Sequence, residues 1–420
     1  MKVLVVGSGG REHALVRALS HSAMVAEVHA VPGNAGMSQE AVCHPRLELG
    51  PPLVQFVKDE RFDLVVIGPE QPLADGLSDQ LRKAGVSVFA PDKKSAQLEA
   101  SKIFAKKFMQ QAGVPTARFF EVSTVAETMK AARSFAPPYV LKADGLCAGK
   151  GVVICENAEQ LEQAAHDFFE KKILGEAGAR ALLEEFQEGW ELSCLILTNA
   201  ESYEILPLAQ DHKRLSDGDM GPNTGGMGVV APLKIDSGLL QDIKKRVLDP
   251  VVRELGNSKM LYRGVLYVGL MITKEGPQVL EFNTRFGDPE CQVILPLLKG
   301  DWADVFSEIA QGGMPEVRWK PLHAACVVLA APGYPAAPKK DIEIVGDPLA
   351  DSASSYFLHA GTAKRGESWV TNGGRVLNAI GIGSSLDEAI RNAYAQASKA
   401  SWLGQQMRKD IGQKILRSNA

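Results

Sequence analysis

GVLYVGLMITKEGPQVLEFNTRFGDPE, residues 264–290, reads as a β-hairpin. An apolar run at 265–273 meets a turn with Gly and Pro at 274–277, and a second run follows at 278–286. Strand side chains alternate faces. Leu280, Phe282, Thr284 and Phe286 are therefore expected on the core face, and Val279, Glu281, Asn283 and Arg285 on the other. A carboxylate, an amide oxygen and a guanidinium would then stand in a row, roughly 6.5–7 Å apart at the backbone. Glu281 and Asn283 offer the oxygen ligands that Mg²⁺ requires and leave most of its octahedron to water and phosphate. Arg285 can grip a phosphoryl oxygen beside them. The same alternation describes an ordinary half-buried strand with a polar face, so the rest of the chain has to decide.

With 420 residues the chain exceeds one ordinary core, and roughly two to four domains are expected. A hydrophobic content of 45% with 23% charged residues fits a soluble globular protein. A net charge of −4 supplies no general attraction for nucleic acid or an anionic membrane, so any anionic substrate must be held by local Lys, Arg and backbone amides. The six cysteines form no CxxC pair and the histidines no zinc spacing, which points to a reduced, cytoplasmic protein without a zinc site. The N-terminal run MKVLVVGSGGRE reads as a strand and not a signal peptide, and no apolar run reaches the ~18–20 residues of a membrane span.

Residues 1–115 alternate strand and helix, with strands near 2–6, 25–31, 64–67 and 86–89 and helices near 13–20, 53–60 and 73–84. That order predicts a parallel sheet covered on both faces, with ligands at the carboxyl ends of its strands. The loops there are GSGGREH (7–13), PGNAG (32–36) and GPEQPL (68–73). The first loop departs from a dinucleotide fingerprint because Glu12 stands at the third Gly, leaving either phosphate binding or a plain φ > 0 turn. One long helix is expected over 95–112, with Lys102 and Lys106 on one solvated face. Residues 116–187 form a smaller α/β unit. Its helix opens on a capping box, Thr124 with Glu127, and its Gly-rich segment, 143–151, fails as a Walker A loop and reads as a flap over phosphates. Residues 188–320 hold the hairpin and a long polar loop, 211–228, functional or disordered. In residues 321–420 a second capping box, Ser385 with Glu388, opens a helix, and no titratable cluster stands out.

These motifs occur together in one order: VGSGGREHAL, PGNAG, GPEQPL, LEASKIFAKKFM, VLKADGLCAGKG, EEFQEGWELS, DHKR with GDMGPNTGGMG, LEFNTRFGDPE, HAGT and GGRVL. In this the chain resembles the ATP-grasp ligases, and within them the glycinamide ribonucleotide synthetases, over essentially its whole length. Cys147 replaces an expected Ala, and 363–370 looks divergent. The resemblance implies an α/β fold, α+β in part. It comprises an N-terminal substrate domain (1–115), a small ATP-lid domain (116–187), a central ATP-grasp domain with the metal site (188–320) and a C-terminal domain (321–420).

The resemblance also implies ATP with Mg²⁺, or Mn²⁺ in its place, and a cytoplasmic monomer joining glycine to 5-phosphoribosylamine. Lys102 and Lys142 would contact ATP phosphates, Glu184, Glu185 and Phe186 would face adenine largely through backbone groups, and Glu191 would take the ribose hydroxyls. Glu281 and Asn283 would hold the metal, and Arg285 would join Lys142 as a catalytic residue at the transferring phosphoryl. Gly9, Asn34 and Glu70 would bind phosphoribosylamine, and Asn223, Thr224, Gly225 and Gly226 would close over substrate, with Asp211 and Asp288 as alternatives for a general base. Other readings are a different carboxylate–amine ligase or a carboxylase, an NAD-dependent dehydrogenase, which the Glu12 break opposes, and a non-catalytic binding protein.

Overall fold

The computed structural model describes residues 1–147 and 151–414, so the flap expected at 145–151 lies in part outside the described residues. Five strands, Lys2–Gly7, Glu27–Pro32, Val42–Cys43, Leu64–Ile67 and Ser87–Phe89, form the expected parallel sheet in the order third, second, first, fourth, fifth. Val3 and Val5 enter one core and Leu4 and Val6 another, as a parallel strand covered on both faces requires. Strand order reverses between Lys2–Gly7 and Leu64–Ile67, and the Gly7, Gly33 and Gly68 turns open at that crevice.

The second unit is a four-stranded antiparallel sheet, Phe119–Val122, Ala181–Glu185, Tyr139–Ala143 and Val152–Cys155 in that order. The third sheet runs Tyr203–Ile205, Trp190–Thr198, Gly264–Thr273 and Gly276–Asn283. Its last two strands are the predicted hairpin. A fourth sheet joins Gln210–Asp211 and Gly228–Ala231 to His323–Ala330, Arg375–Gly383 and Ser355–His359. The polar loop thus starts and ends on strands shared with the C-terminal part, and between them it folds back as a short ladder, Arg214–Ser216 against Met220–Asn223. Of the two expected capping boxes the N-cap halves form, with Thr124 accepting from the Glu127 N–H and Ser385 from that of Glu388, while the Glu side chains reach one residue further back, to Ser123 N–H (2.8 Å) and Ser384 N–H (2.7 Å). Among the described residues no helix is long and apolar enough to cross a membrane.

Three local expectations are corrected. The helix expected over 73–84 is two, Glu70–Asp75 and Leu77–Lys83, because Gly76 is left-handed (φ 86°). The helix expected over 95–112 also divides, into Lys93–Ala100 and Lys102–Ala112. Its break is built from outside: Asp144 Oδ1 accepts from Ile103 N–H (2.9 Å) and Ser101 Oγ (2.8 Å), and the Asp144 carbonyl accepts from Lys102 N–H (3.1 Å). Ser101 is the N-cap of the second helix, its hydroxyl accepting from Phe104 N–H (3.1 Å), and Asp144 of the small unit takes two further N–H groups of the first turn, which holds Lys102 there.

The third correction concerns the hairpin itself. Strict alternation fails at a β-bulge: Gly269 pairs with Glu281 but Leu270 pairs with Val279. Leu280 is the extra residue. Val279 and Phe282 both enter the core, whereas Leu280 turns to the cleft with Glu281. The strand also stops at Asn283, because Thr284 N–H donates to Glu99 Oε2 (2.7 Å) in place of a ladder partner.

Candidate active site

The small sheet and the hairpin sheet face one another, and Lys142 spans the gap. It is 8% exposed on Tyr139–Ala143, and its ammonium meets Glu184 Oε2 at 3.0 Å and the carbonyl of Leu280 at 3.3 Å. The bulge is what turns that carbonyl toward the lysine. Lys102 stands at the entry of the flap segment, with Nζ 3.4 Å from the Gly145 carbonyl.

On the floor, Glu281 and Asn283 share a face, with Gly269 and Tyr267 as their cross-strand partners. A Cβ on Gly269 would come within 3.3 Å of the Glu281 side chain, so the glycine gives that carboxylate its room. Burial alone would push the Glu281 carboxyl up, but Lys213, Lys142, Lys102 and Arg285 together hold it below the usual range. Among the described residues it has no hydrogen-bond donor, so the carboxylate is an oxygen donor whose anionic form these four cations favour. With the Asn283 amide two positions on, that donor set fits a hard divalent cation and leaves the remaining coordination to water and phosphate.

Behind Glu281 lies a cavity of about 20 Å³, lined among others by Glu191, Ser193, Asp211, Lys213 and Tyr267. Lys213 pairs with Asp211 Oδ2 at 3.1 Å, and Glu290 Oε1 accepts from Ser193 Oγ at 2.9 Å. Burial pushes both the Asp211 and Glu290 carboxyls up, and Glu290 is raised further by Asp211. These two acids beside one lysine are the groups best placed to hold a proton or an ammonium near Glu281 and Asn283.

Arg285 links this cleft to the N-terminal crevice. Its Nη2 meets Glu99 Oε1 at 2.6 Å, its Nε lies 3.5 Å from Glu70 Oε2, and its Nη2 is 3.4 Å from Asn283 Oδ1. Beyond it a second cleft of about 530 Å³ opens between Ser8–Gly9, Asn34, Asp288 and the C-terminal residues Thr362, Lys364 and Arg375. Arg375 clamps this junction: it pairs with Asp288 Oδ2 (3.0 Å) and donates to the carbonyls of Asp288 (2.7 Å) and Gly225 (2.8 Å). The C-terminal part, expected to lack a titratable cluster, supplies the charge that holds Asp288 below the usual carboxylate range although burial opposes it.

The structure gathers Lys102, Lys142, Glu184, Glu191, Glu281, Asn283 and Arg285 around the first cleft, and Gly9 and Asn34 at the second, with Glu70 between them. Several sit otherwise than expected. The Gly9 N–H is taken by Glu12 Oε2 (2.6 Å), and the Glu12 side chain fills the space beside Gly7 and Gly68. The Asn34 amide is fully engaged with the backbone of Ser8, His359, Gly36 and Met37, so it shapes the loop rather than offering free donors. Glu184 points into the interior, and Glu185 pairs outward with Arg118 (2.6 Å), while Phe186 is half-buried. Lys106, expected on a solvated face, is 2% exposed. Lys213, Glu290, Glu99, Arg11 and Arg375 were not anticipated as site residues. Each lies inside a motif quoted above; Lys213 pairs with its near neighbour Asp211, but Glu290, Glu99, Arg11 and Arg375 have partners distant in sequence.

In the closing loop, Thr224 Oγ1 donates to the Lys213 carbonyl (2.8 Å) and accepts from Gly226 N–H (3.0 Å). Asn223 is exposed and pairs with Arg214, and the Gly225 N–H donates to the Tyr334 hydroxyl (3.0 Å). Gly226 has φ 113°, and a Cβ there would stand 2.5 Å from Pro289 and 2.8 Å from Asp211. Gly226→Ala should therefore cost ~1–3 kcal/mol through overpacking and displace Asp211. A urea melt with an activity measurement checks it, and an unchanged midpoint with full activity would refute the contact.

Two facing antiparallel sheets, with Lys142 on one and a Glu–Asn oxygen row on the other, are those of an ATP-grasp ligase. Family models for the N domain, the ATP-grasp (A) domain and the C domain of phosphoribosylglycinamide synthetase match residues 1–99, 100–291 and 324–414. A phosphoribosylamine–glycine ligase of Caldanaerobacter subterraneus subsp. tengcongensis is 41% identical, the alignment covering 98% of this chain and 99% of that protein. The human trifunctional purine biosynthetic protein adenosine-3 is 42% identical over 98% of the chain, which spans 42% of that longer protein. The crystal structure of a phosphoribosylamine–glycine ligase from Thermotoga maritima superposes with a TM-score of 0.87 at 37% identity, covering 98% of this chain and 100% of that one. The chain belongs to the phosphoribosylglycinamide synthetase family.

Proposed function

We propose that the chain joins glycine to 5-phosphoribosylamine, converting ATP to ADP and phosphate, by way of a glycyl phosphate, as a step of purine biosynthesis. A carboxylate is a poor acyl donor because its leaving group would be oxide. Transfer of the γ-phosphoryl to glycine turns that leaving group into phosphate, and the amine of phosphoribosylamine then attacks the carbonyl. The first step needs positioning and charge neutralisation more than covalent help. Lys102 and Lys142 would bind the ATP phosphates, and Arg285 would face the transferring phosphoryl. Glu281 and Asn283 would hold Mg²⁺, or Mn²⁺ in its place, which when bound neutralises phosphate charge. Ser8–Gly9 and Lys364 line the cleft that would take phosphoribosylamine, and Glu191 would accept from the ribose of ATP. The reading carries with it a cytoplasmic monomer.

The observation that supports it most is Glu281 and Asn283 side by side on one face of the floor strand, with Lys142 reaching the adjoining Leu280 carbonyl (3.3 Å) from the facing sheet. ADP release measured with each substrate omitted in turn tests it. Release is expected to require both glycine and phosphoribosylamine and to ignore bicarbonate. Turnover that proceeds without glycine, or that needs bicarbonate, would sink the assignment.

A further inference from the structure

Lys102 and Lys106 lie one turn apart on one helix, yet they end in different surroundings. Lys106 is buried, and its ammonium donates to Thr116 Oγ1 (2.7 Å) and the Ala117 carbonyl (3.4 Å). Its third partner is Glu184 Oε2 at 3.0 Å, the same oxygen that Lys142 meets at 3.0 Å. Glu184 is itself 2% exposed, and its other carboxylate oxygen has no partner among the described residues. Two ammoniums therefore share one buried carboxylate, leaving one net positive charge in the wall of the nucleotide cleft.

We propose that Lys106 is a positioning residue for nucleotide binding: by sharing the Glu184 carboxylate, it leaves Lys142 with charge to offer to phosphate. The proposal rests on the reading that Lys142 meets the phosphates of ATP. With Lys142 alone on Glu184 the pair would be neutral, and at low dielectric the carboxylate would hold the lysine strongly. With both lysines present, the carboxylate's attraction is divided and the group as a whole attracts an anion. Thr116 also donates to the Val279 carbonyl (2.6 Å), so the same lysine is tied to the floor strand two residues before Glu281.

The titration of Lys106 follows from this setting. Burial lowers it most, Glu184 raises it, Lys142 lowers it again, and it settles at about 8. Glu184 and Lys142 are the charged groups that face it; the ring of Phe119, 5.5 Å away, Thr116 and Ala117 are neutral. Below that value the three side chains carry one net positive charge, and above it none. Nucleotide binding should weaken as pH rises through it, and bound phosphate should in turn raise the Lys106 value.

Calorimetric titration of the full chain with ADP and Mg²⁺ from pH 7 to 9.5 tests this. The wild-type Kd is expected to rise about tenfold across the range. Lys106→Met should be weakened at pH 7 to the level that the wild type reaches at high pH, with no further dependence. The double variant Lys106→Met, Glu184→Gln has the wild-type net charge and should regain most of the affinity while staying flat. A lysine that only fills space would leave both variants equally weak and the wild type without a limb near pH 8, and that pattern overturns the proposal. Should Lys106→Met fail to fold, the wild-type profile decides alone: a flat one overturns it. Lys142→Ala separates the two ideas. If it binds ADP as well as wild type, the reading of Lys142 fails and takes the proposal with it; if it weakens binding but Lys106→Met does not, only the role of Lys106 fails.

Discussion

Replacing Glu281 with alanine is expected to lower kcat by about 100- to 1,000-fold, the effect of removing one electrostatic contact to a transition state, or about 2.7–4 kcal/mol. Excess Mg²⁺ should not restore the rate, because the lost ligand is the charged one. The surroundings add a second, opposite signature. Lys213, Lys142, Lys102 and Arg285 all act electrostatically on this carboxylate, and without it the cleft carries one more net positive charge. Metal-free ADP should therefore bind the alanine variant more tightly than it binds the wild type, while turnover collapses. Glu281→Gln should behave alike in both respects while keeping the side chain's shape. Kinetics at saturating Mg²⁺, together with ADP titration in a chelator, measure the two effects separately. A variant with wild-type kcat would remove Glu281 from the metal site, and unchanged metal-free affinity would mean that the cations do not converge on bound phosphate.

What the sequence made legible was local chemistry. The hairpin, the parallel sheet and its Gly-rich loops, the Thr124 and Ser385 N-caps and the Glu281–Asn283 pair all follow from period, turn residues and spacing within a few positions. What escaped was set by contacts between segments far apart. At Ser101 a local signal was passed over, since its own hydroxyl caps the second helix on Phe104 N–H, but the bonds that Asp144 adds to the same turn needed the fold. Leu280 leaves strict alternation at a bulge that puts Val279 and Phe282 into one core and presents the Leu280 carbonyl to Lys142, 138 positions away. Lys106 looked solvated because its partner Glu184 sits on another strand. Arg375 closes the second cleft from a part of the chain whose charges seemed scattered. The candidate residues could thus be named in advance, mostly through the resemblance, but the groups that set their charge and orientation needed the fold.

Arg285 is the residue on which catalysis and stability should separate most clearly. Arg285→Met is expected to lose turnover by at least about 100-fold, as for loss of a cation at a transferring phosphoryl, and to lose ~3 kcal/mol of stability as well. The second loss comes from Glu99, which is 8% exposed and gives its oxygens to Arg285 and to the backbone and hydroxyl of Thr284. Burial already raises the Glu99 carboxyl with Arg285 in place, and Glu70 raises it further. Without the guanidinium its folded-state value must climb again. A carboxyl whose folded value lies above its unfolded one costs stability as pH rises from the unfolded value, ~4.3, through the folded one. The deficit of Arg285→Met should therefore be small near pH 5 and full near pH 8. Adding Glu99→Gln should restore stability and abolish that pH dependence, since an amide needs no counter-charge. It should leave turnover as low as in the single variant, because the cation at the phosphoryl is still missing. Thermal melts at the two pH values and kcat for both variants resolve the roles. Recovery of activity together with stability in the double variant would show that Arg285 serves only to neutralise Glu99, and its place in the chemistry would be lost.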